Sequence, residues 1–255
     1  VLDPEVPSKG LRDGDGVQLM PSVSLSPDEV RAAYNRLHAR GAIQSMPGHQ
    51  ARLLRLLCPR VGCRLLDVGC GTGDMLVAAA EAGLRAAGVD VSDIGVEAAR
   101  RRVPEAEVVV SAAEELPFPD AAFDYVTCMG SLEHFAEPDR GLAEMIRVTK
   151  PDGRVLILVP NSRHYWMPVL RLVRALFPGL SQPVERHASR QEWERLFGGQ
   201  GLKVMSAHKD NDWYVRGRLL QSLVRALGRV TPAAISYSLV FVCRPRAREG
   251  AGPAD

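Results

Sequence analysis

No apolar run in the chain reaches the ~18 residues needed to cross a bilayer, and the first residues lack the apolar core of a signal peptide. Cysteine is scarce: Cys58, Cys63, Cys70, Cys128 and Cys243 are odd in number and contain no C-x-x-C pair, which argues against a disulfide or zinc framework. Excess charge is missing too. A formal net charge of +2 over 255 residues gives no electrostatic footprint for nucleic acid. These absences lead us to expect a cytoplasmic chain with free thiols and no nucleic-acid partner.

What is present is 46% apolar residues, enough to bury the core of one α/β domain with extra helices. The most informative stretch is Leu65-Leu66-Asp67-Val68-Gly69-Cys70-Gly71-Thr72-Gly73-Asp74. Residues 64–68 are almost unbroken by polar alternation, as in a central parallel strand covered on both faces. Gly69, Gly71 and Gly73 then remove three side chains, so the backbone can take φ > 0 and a ligand can lie against it. A helix should follow with Met75, Leu76, Ala79 and Ala80 inward, ending near Gly83. Strand, glycine turn and helix in this order make a ligand-binding corner.

The turn reads G-x-G-x-G, not the dinucleotide spacing G-x-G-x-x-G, and carries an acid two residues before its first glycine. A carboxylate at Asp67 repels a pyrophosphate and suits an ammonium group, which disfavours a nicotinamide-dependent oxidoreductase. Asp90 closes a second strand at residues 86–91, where an acid can accept both hydroxyls of a ribose. An amino acid end and a nucleoside end together point to S-adenosylmethionine.

Further motifs follow in order: Gly88-Val89-Asp90-Val91-Ser92, Glu114-Glu115-Leu116-Pro117-Phe118, Phe123-Asp124, Leu132-Glu133-His134-Phe135 and Lys150-Pro151-Asp152-Gly153-Arg154. With the glycine turn, they resemble the class I S-adenosylmethionine-dependent methyltransferases, in the small-molecule group that includes ubiquinone and menaquinone biosynthesis enzymes. The resemblance runs from about Arg64 to Asn161. It implies a Rossmann-like, seven-stranded, mostly parallel sheet with an antiparallel last strand, helices on both faces, and N-terminal and lid helices. It also implies S-adenosyl-L-methionine as cofactor, bound by Asp67, Gly69, Cys70, Gly71, Gly73, Asp90, Val91, Ala112, Ala113, Glu114 and Met129. Relatives usually carry an aspartate where Ala112 stands, so here the adenine contact falls to backbone near Ala113, to Glu114 or to water.

Residues 1–25 read as a flexible leader and 246–255 as a flexible tail, leaving 26–245 as one methyltransferase domain. Cap helices occupy 26–60, the cofactor core 64–161, and an acceptor and lid region 162–235. Ser26-Pro27-Asp28-Glu29 is a capping box that opens a helix with Val30, Ala33, Tyr34 and Leu37 on one side. A second helix should run from Pro47 to Leu57. In the family such helices fold over cofactor and acceptor with a tyrosine near Tyr34, although Tyr34 is equally readable as a packing residue. Strands are expected at 107–111, 123–128, 154–159, 202–207 and 236–243, the fifth fed by a turn at 150–153. A crossover helix is expected at 139–148, and a helix capped by Ser189 with Trp193, Leu196 and Phe197 inward.

The end of the fourth strand opens onto the crevice, which puts Met129, Ser131 and His134 nearest the transferred methyl group. His134 and His187 are candidate general bases because imidazole titrates near neutrality; His134 also reads as a hydrogen-bonding residue at a helix start. Some quinone-pathway relatives hold a metal near this histidine, but Met129 stands one turn before Glu133 and no metal is expected. Ser131, His134, Asn161, Tyr165, Trp166, His187, Trp213 and Tyr214 are the acceptor-pocket candidates, with His164 a further wall residue. Residues 163–177 and 214–230 have apolar residues at helical spacing, seven arginines and no carboxylate. They read as a basic lid over an apolar or acidic acceptor, as contact with an anionic membrane surface, or as ordinary core helices with solvated arginines.

Overall fold

The computed structural model describes residues 26–41, 48–164, 186–211 and 230–246. The described helices are α1 (Pro27–Ala39), α2 (His49–Leu54), α3 (Asp74–Glu81), α4 (Asp93–Arg102), α5 (Pro138–Val148) and α6 (Arg190–Gly199). The strands are β1 (Arg64–Val68), β2 (Arg85–Asp90), β3 (Glu107–Val110), β4 (Phe123–Met129), β5 (Thr149–Pro160), β6 (Leu202–Asp210) and β7 (Ser238–Pro245). They form one seven-stranded sheet in the order β3-β2-β1-β4-β5-β7-β6, with β7 antiparallel to both of its neighbours. Chain order reverses between β1 and β4, and a crevice therefore opens at their carboxyl ends.

Alternation along the strands feeds two cores. Leu66 and Val68 of β1 join Val126, Cys128, Leu142, Met145, Trp193 and Phe197 beneath α5 and α6. Leu65 points the other way, toward Leu53, Leu54, Leu57, Met75 and Val240 beneath α2 and α3. A third cluster, with Leu76, Val96, Ala99 and Val108, seats α4 against α3 and β3. Each fully buried leucine contributes about 1.5–3 kcal/mol of transfer free energy, and this sandwich holds the crevice in place.

Local signals fix several ends. Ser26 and Glu29 bond reciprocally as a capping box, as do Ser189 and Glu192. Gly73 is the left-handed N-cap of α3, and a Cβ there would lie 3.1 Å from that of Ala99, so this glycine also lets α3 and α4 approach. The expected turn at 150–153 is a bulge inside the longer strand β5. Phe123 pairs with Thr149 while Tyr125 pairs with Arg154, because Asp124 turns to bind Lys150 Nζ at 2.7 Å and Arg64 N at 2.8 Å. In α3 the buried small residues are Ala78 and Ala79, with Ala80 only half-buried. Among the described residues no helix is long and apolar enough to cross a membrane.

Candidate functional site

The glycine turn is built by hydrogen bonds from two strands. Gly69 N and Cys70 N both donate to Val89 O, which folds the end of β1 onto β2. Gly69 (φ 75°) and Gly71 (φ 50°) have left-handed backbones, and a Cβ on Gly69 would lie 2.4 Å from Ser131 Oγ. Ser131 Oγ in turn donates to Gly69 O at 3.3 Å and ties the loop after β4 to the turn. Cys70 points inward: a Cβ on Gly88 would meet its sulfur at 2.9 Å, and burial raises its thiol pKa well above the ordinary value.

Asp90 ends β2 with its carboxylate spread between two backbone donors. Gly71 N bonds Oδ2 at 2.8 Å and Ser92 N bonds Oδ1 at 2.8 Å. Burial pushes this carboxyl up, against the pull of the Ser92 and Gly71 amides and of His38. Asp67 stands at the other side of the turn, 3% exposed, and Thr127 Oγ1 donates to its Oδ1 at 2.6 Å. Burial raises Asp67 to about 7, with the Thr127 hydroxyl opposing and Asp90 and Asp74 adding to the rise. That hydroxyl is its one side-chain donor among the described residues, so the carboxylate is under-solvated for an anion and fits a cationic partner.

These groups converge on a cavity of about 390 Å³. Its walls include Asp67, Gly69, Cys70, Gly71, Asp90, Val91, Ala112, Ala113, Glu114 and Met129, together with Ser131 and His134. Tyr34 joins them from α1 and stands edge-on to His134, with ring centroids 6.0 Å apart. His134 Nε2 lies 3.8 Å from Glu133 Oε1, and both side chains are nearly buried. Glu114 Oε1 accepts from Glu137 N at 3.0 Å, so this wall is pinned to the N-terminus of α5.

The remaining candidates are placed elsewhere. Gly73 serves the α3–α4 packing described above and is not a wall of the cavity. Asn161 is buried, with Nδ2 donating to Ala234 O and Ser236 O and Oδ1 accepting from Arg163 N, so it braces the end of β5. His164 is buried against the Tyr237 ring. His187 is half-buried and stands outside the cavity walls, beside Arg186, whose guanidinium donates to the carbonyls of Glu133, Phe135 and Ala136. Burial lowers the Arg186 pKa, with Glu114 opposing. Tyr165, Trp166, Trp213 and Tyr214, and the arginine-rich segments within 163–177 and 214–230, lie outside the described residues apart from Arg163, His164 and Val230.

Six wall residues were not singled out from the sequence: Arg31, His38, Gln50, Ala136, Glu137 and Arg140. A signal for one of them was available. Val30, Tyr34 and His38 stand four residues apart on one face of α1 and form a row facing the cavity.

A family model described as a methyltransferase domain matches residues 66–157. A demethylmenaquinone methyltransferase of Clavibacter sepedonicus is 34% identical over 179 residues, covering 67% of this chain and 72% of that protein. A ubiquinone/menaquinone biosynthesis C-methyltransferase of Geobacter sulfurreducens is 33% identical over 174 residues, covering 58% of this chain and 68% of that protein. Among solved structures, the geranyl diphosphate C-methyltransferase of Streptomyces coelicolor A3(2), in complex with Mg2+, geranyl diphosphate and S-adenosyl-L-homocysteine, superimposes with a TM-score of 0.62 at 17% identity, covering 88% of this chain and all of that one. At that identity the likeness is one of fold.

Proposed function

The chain belongs to the class I S-adenosylmethionine-dependent methyltransferase family, and from that premise we propose which residues hold the cofactor and what kind of acceptor it serves. The observation that carries the reading is the placement of two buried carboxylates, Asp67 and Asp90, on either side of one glycine turn in one cavity. Asp67 faces the ammonium end of the cofactor and Asp90 the ribose hydroxyls. Ala112, Ala113 and Glu114 border the adenine, and Gly69, Cys70, Gly71, Val91 and Met129 line the path between. Gly73 contributes through the α3 N-terminus, and Tyr34 covers the site from α1. Within residues 26–245, the segment 64–161 is then the cofactor core and 162–235 chooses the acceptor.

S-adenosylmethionine supplies an electrophilic methyl group on a sulfonium. The protein's task is to align the acceptor for in-line displacement and keep water out, because orientation and desolvation supply most of the acceleration. The walls formed by Tyr34, Met129, Ser131 and His134 serve that end. For a hydroxyl acceptor, His134 takes the proton, with the Glu133 carboxylate 3.8 Å away to stabilise the imidazolium. His187, outside the walls of this cavity, is the second candidate base. An acidic carbon or phenol asks less of either.

The acceptor we propose is a small hydrophobic metabolite methylated on oxygen or carbon. The names of the two quinone-pathway relatives favour a quinone-type or lipid acceptor as the second reading, with the arginine-rich segments resting on a membrane surface. The work is cytoplasmic in either case, a placement supported by five free cysteines. Incubation with S-adenosylmethionine and hydrophobic phenols, quinols and enols, with and without anionic vesicles, tests both readings. Formation of S-adenosylhomocysteine that falls at least about a hundredfold in His134→Ala supports the assignment, the lower end of the range for loss of a general base. Cofactor binding without turnover of any acceptor would favour a non-catalytic cofactor-binding scaffold.

A further inference from the structure

Helix α1 meets α4 at its start, and the side chain of Asn35 binds three groups there. Asn35 Oδ1 accepts from Ser92 Oγ at 2.6 Å and from Ile94 N at 3.4 Å, while Nδ2 donates to Asp93 Oδ2 at 3.3 Å. The direction of the amide is dictated by its partners, since Ile94 N–H can only donate and an ionised Asp93 can only accept. Ser92 spends its single hydroxyl hydrogen on Asn35 and accepts from Gly95 N at 3.1 Å, which caps α4. Its own N–H holds Asp90 Oδ1, and the other oxygen of Asp90 holds Gly71 N. A continuous chain of hydrogen bonds thus runs from α1 through Asn35, Ser92 and Asp90 to the glycine turn.

The same helix carries the far wall of the cavity. Tyr34, the residue before Asn35, packs edge-on to His134. One turn later the His38 ring lies against Gly71 and Gly95, within 3.2–3.3 Å of where a Cβ on either glycine would stand. Both positions lack the side chain that would exclude the imidazole.

We propose that Asn35 is a positioning residue for the methyl-transfer site: it docks α1 onto the N-terminus of α4 and holds Tyr34 and His38 over the bound cofactor. The inference rests on the cofactor reading above and adds to it a residue that touches neither cofactor nor acceptor. Its consequence is kinetic. A wall held by side-chain bonds to one helix start governs how long the ligand stays more than how fast it arrives, and differences among variants of one site fall mainly in the dissociation rate.

The partners suggest a swap. In Asn35→Asp a carboxylate faces Asp93 and repels it, whereas the double variant Asn35→Asp/Asp93→Asn exchanges amide and acid and restores every donor–acceptor match. Binding of S-adenosylhomocysteine, measured by calorimetry and by displacement kinetics, should weaken about tenfold in Asn35→Asp, nearly all of it in faster dissociation, and return to within about twofold of wild type in the double variant. Asn35→Ala, which removes the amide without adding charge, should lie between. Amide exchange of α1 without ligand should rise in the two single variants at position 35 and fall back in the swap, while the thermal midpoints stay close together. Wild-type affinity in Asn35→Asp, or no recovery in the swap, overturns the inference alone. A wild-type protein that does not bind S-adenosylhomocysteine overturns the cofactor reading and this inference together.

Discussion

The floor and the far wall of the crevice are held by different means. The floor is the carboxyl ends of β1, β2 and β4, where sheet register and a fully buried core position Asp67, Asp90 and the glycine turn. The far wall is α1, attached through Asn35 and the rings of Tyr34 and His38. Damage to the backbone geometry of the floor should therefore cost the fold and the site together. Damage to the wall should spare the fold and change how firmly the ligand is held.

The largest effect is expected at Gly69. A Cβ there has a left-handed backbone to satisfy and Ser131 Oγ in its way, so Gly69→Ala should weaken S-adenosylhomocysteine binding at least a hundredfold, about 2.7 kcal/mol. A lowered thermal midpoint should accompany it, through strain of about 1–3 kcal/mol. Calorimetry and thermal unfolding check both, and a variant that kept wild-type affinity would show that the close approach is not needed.

Asp67 comes next and separates affinity from stability. Its pKa is raised in the folded protein to about 7 from an unfolded value near 3.8, so the native state binds the extra proton between those limits. Stability contributed by the protonated form is therefore complete at low pH and is lost as pH rises toward 7, where a charge must be buried. Asp67→Asn should be more stable than wild type at pH 8 without ligand, with the gap narrower at pH 5 and closed only below about pH 3.8. The same variant should bind S-adenosylhomocysteine about tenfold more weakly, roughly 1.4 kcal/mol. Denaturant unfolding at the two pH values gives the sign directly, and a gap that widens toward pH 5 would contradict it.

On the far wall the effects shrink. Tyr34→Ala should weaken the cofactor product about fivefold, close to 1 kcal/mol for a lost aromatic contact, and leave the unfolding midpoint of the core within a few degrees. Tyr34→Phe should match wild type in both measurements if the ring is what matters. The smallest expected effect is at Cys70, a wall residue whose thiol is buried against Gly88 and raised by that burial well above its ordinary pKa. A thiol reagent should label exposed Cys58 and leave Cys70 untouched, and rapid labelling of Cys70 would place its sulfur on the ligand side.

Much of this contrast could be read before any coordinates. The strand ends, the two capping boxes and the acids at Asp67 and Asp90 beside the glycine turn are local signals, and they led to the sheet and the crevice. Residues 64–68 and Ser26 to Glu29 follow the rule that a short pattern with one physical explanation is the safest to read. The bulge at 150–153 was harder, because it depends on Asp124 finding Lys150 across two strands. Asn35 was hidden for the same reason, since its meaning lies in Ser92 and Asp93, far away in sequence, whereas His38 left a trace in the α1 row with Val30 and Tyr34. Asn161 looked like a crevice residue from its place at the end of β5, yet its amide bonds turn to the backbone of residues 234 and 236. Position along a strand is legible, whereas the direction in which a polar side chain spends its hydrogen bonds is not.

The measurement that bears most directly on the whole account is calorimetric titration of S-adenosylhomocysteine into wild type and Asp90→Ala. The account predicts saturable binding to the wild type and a loss of at least about tenfold, roughly 1.4 kcal/mol, when the ribose-binding acid is removed. Equal affinity for the two proteins would contradict the placement of the nucleoside at Asp90, and with it the arrangement of floor and wall around the ligand.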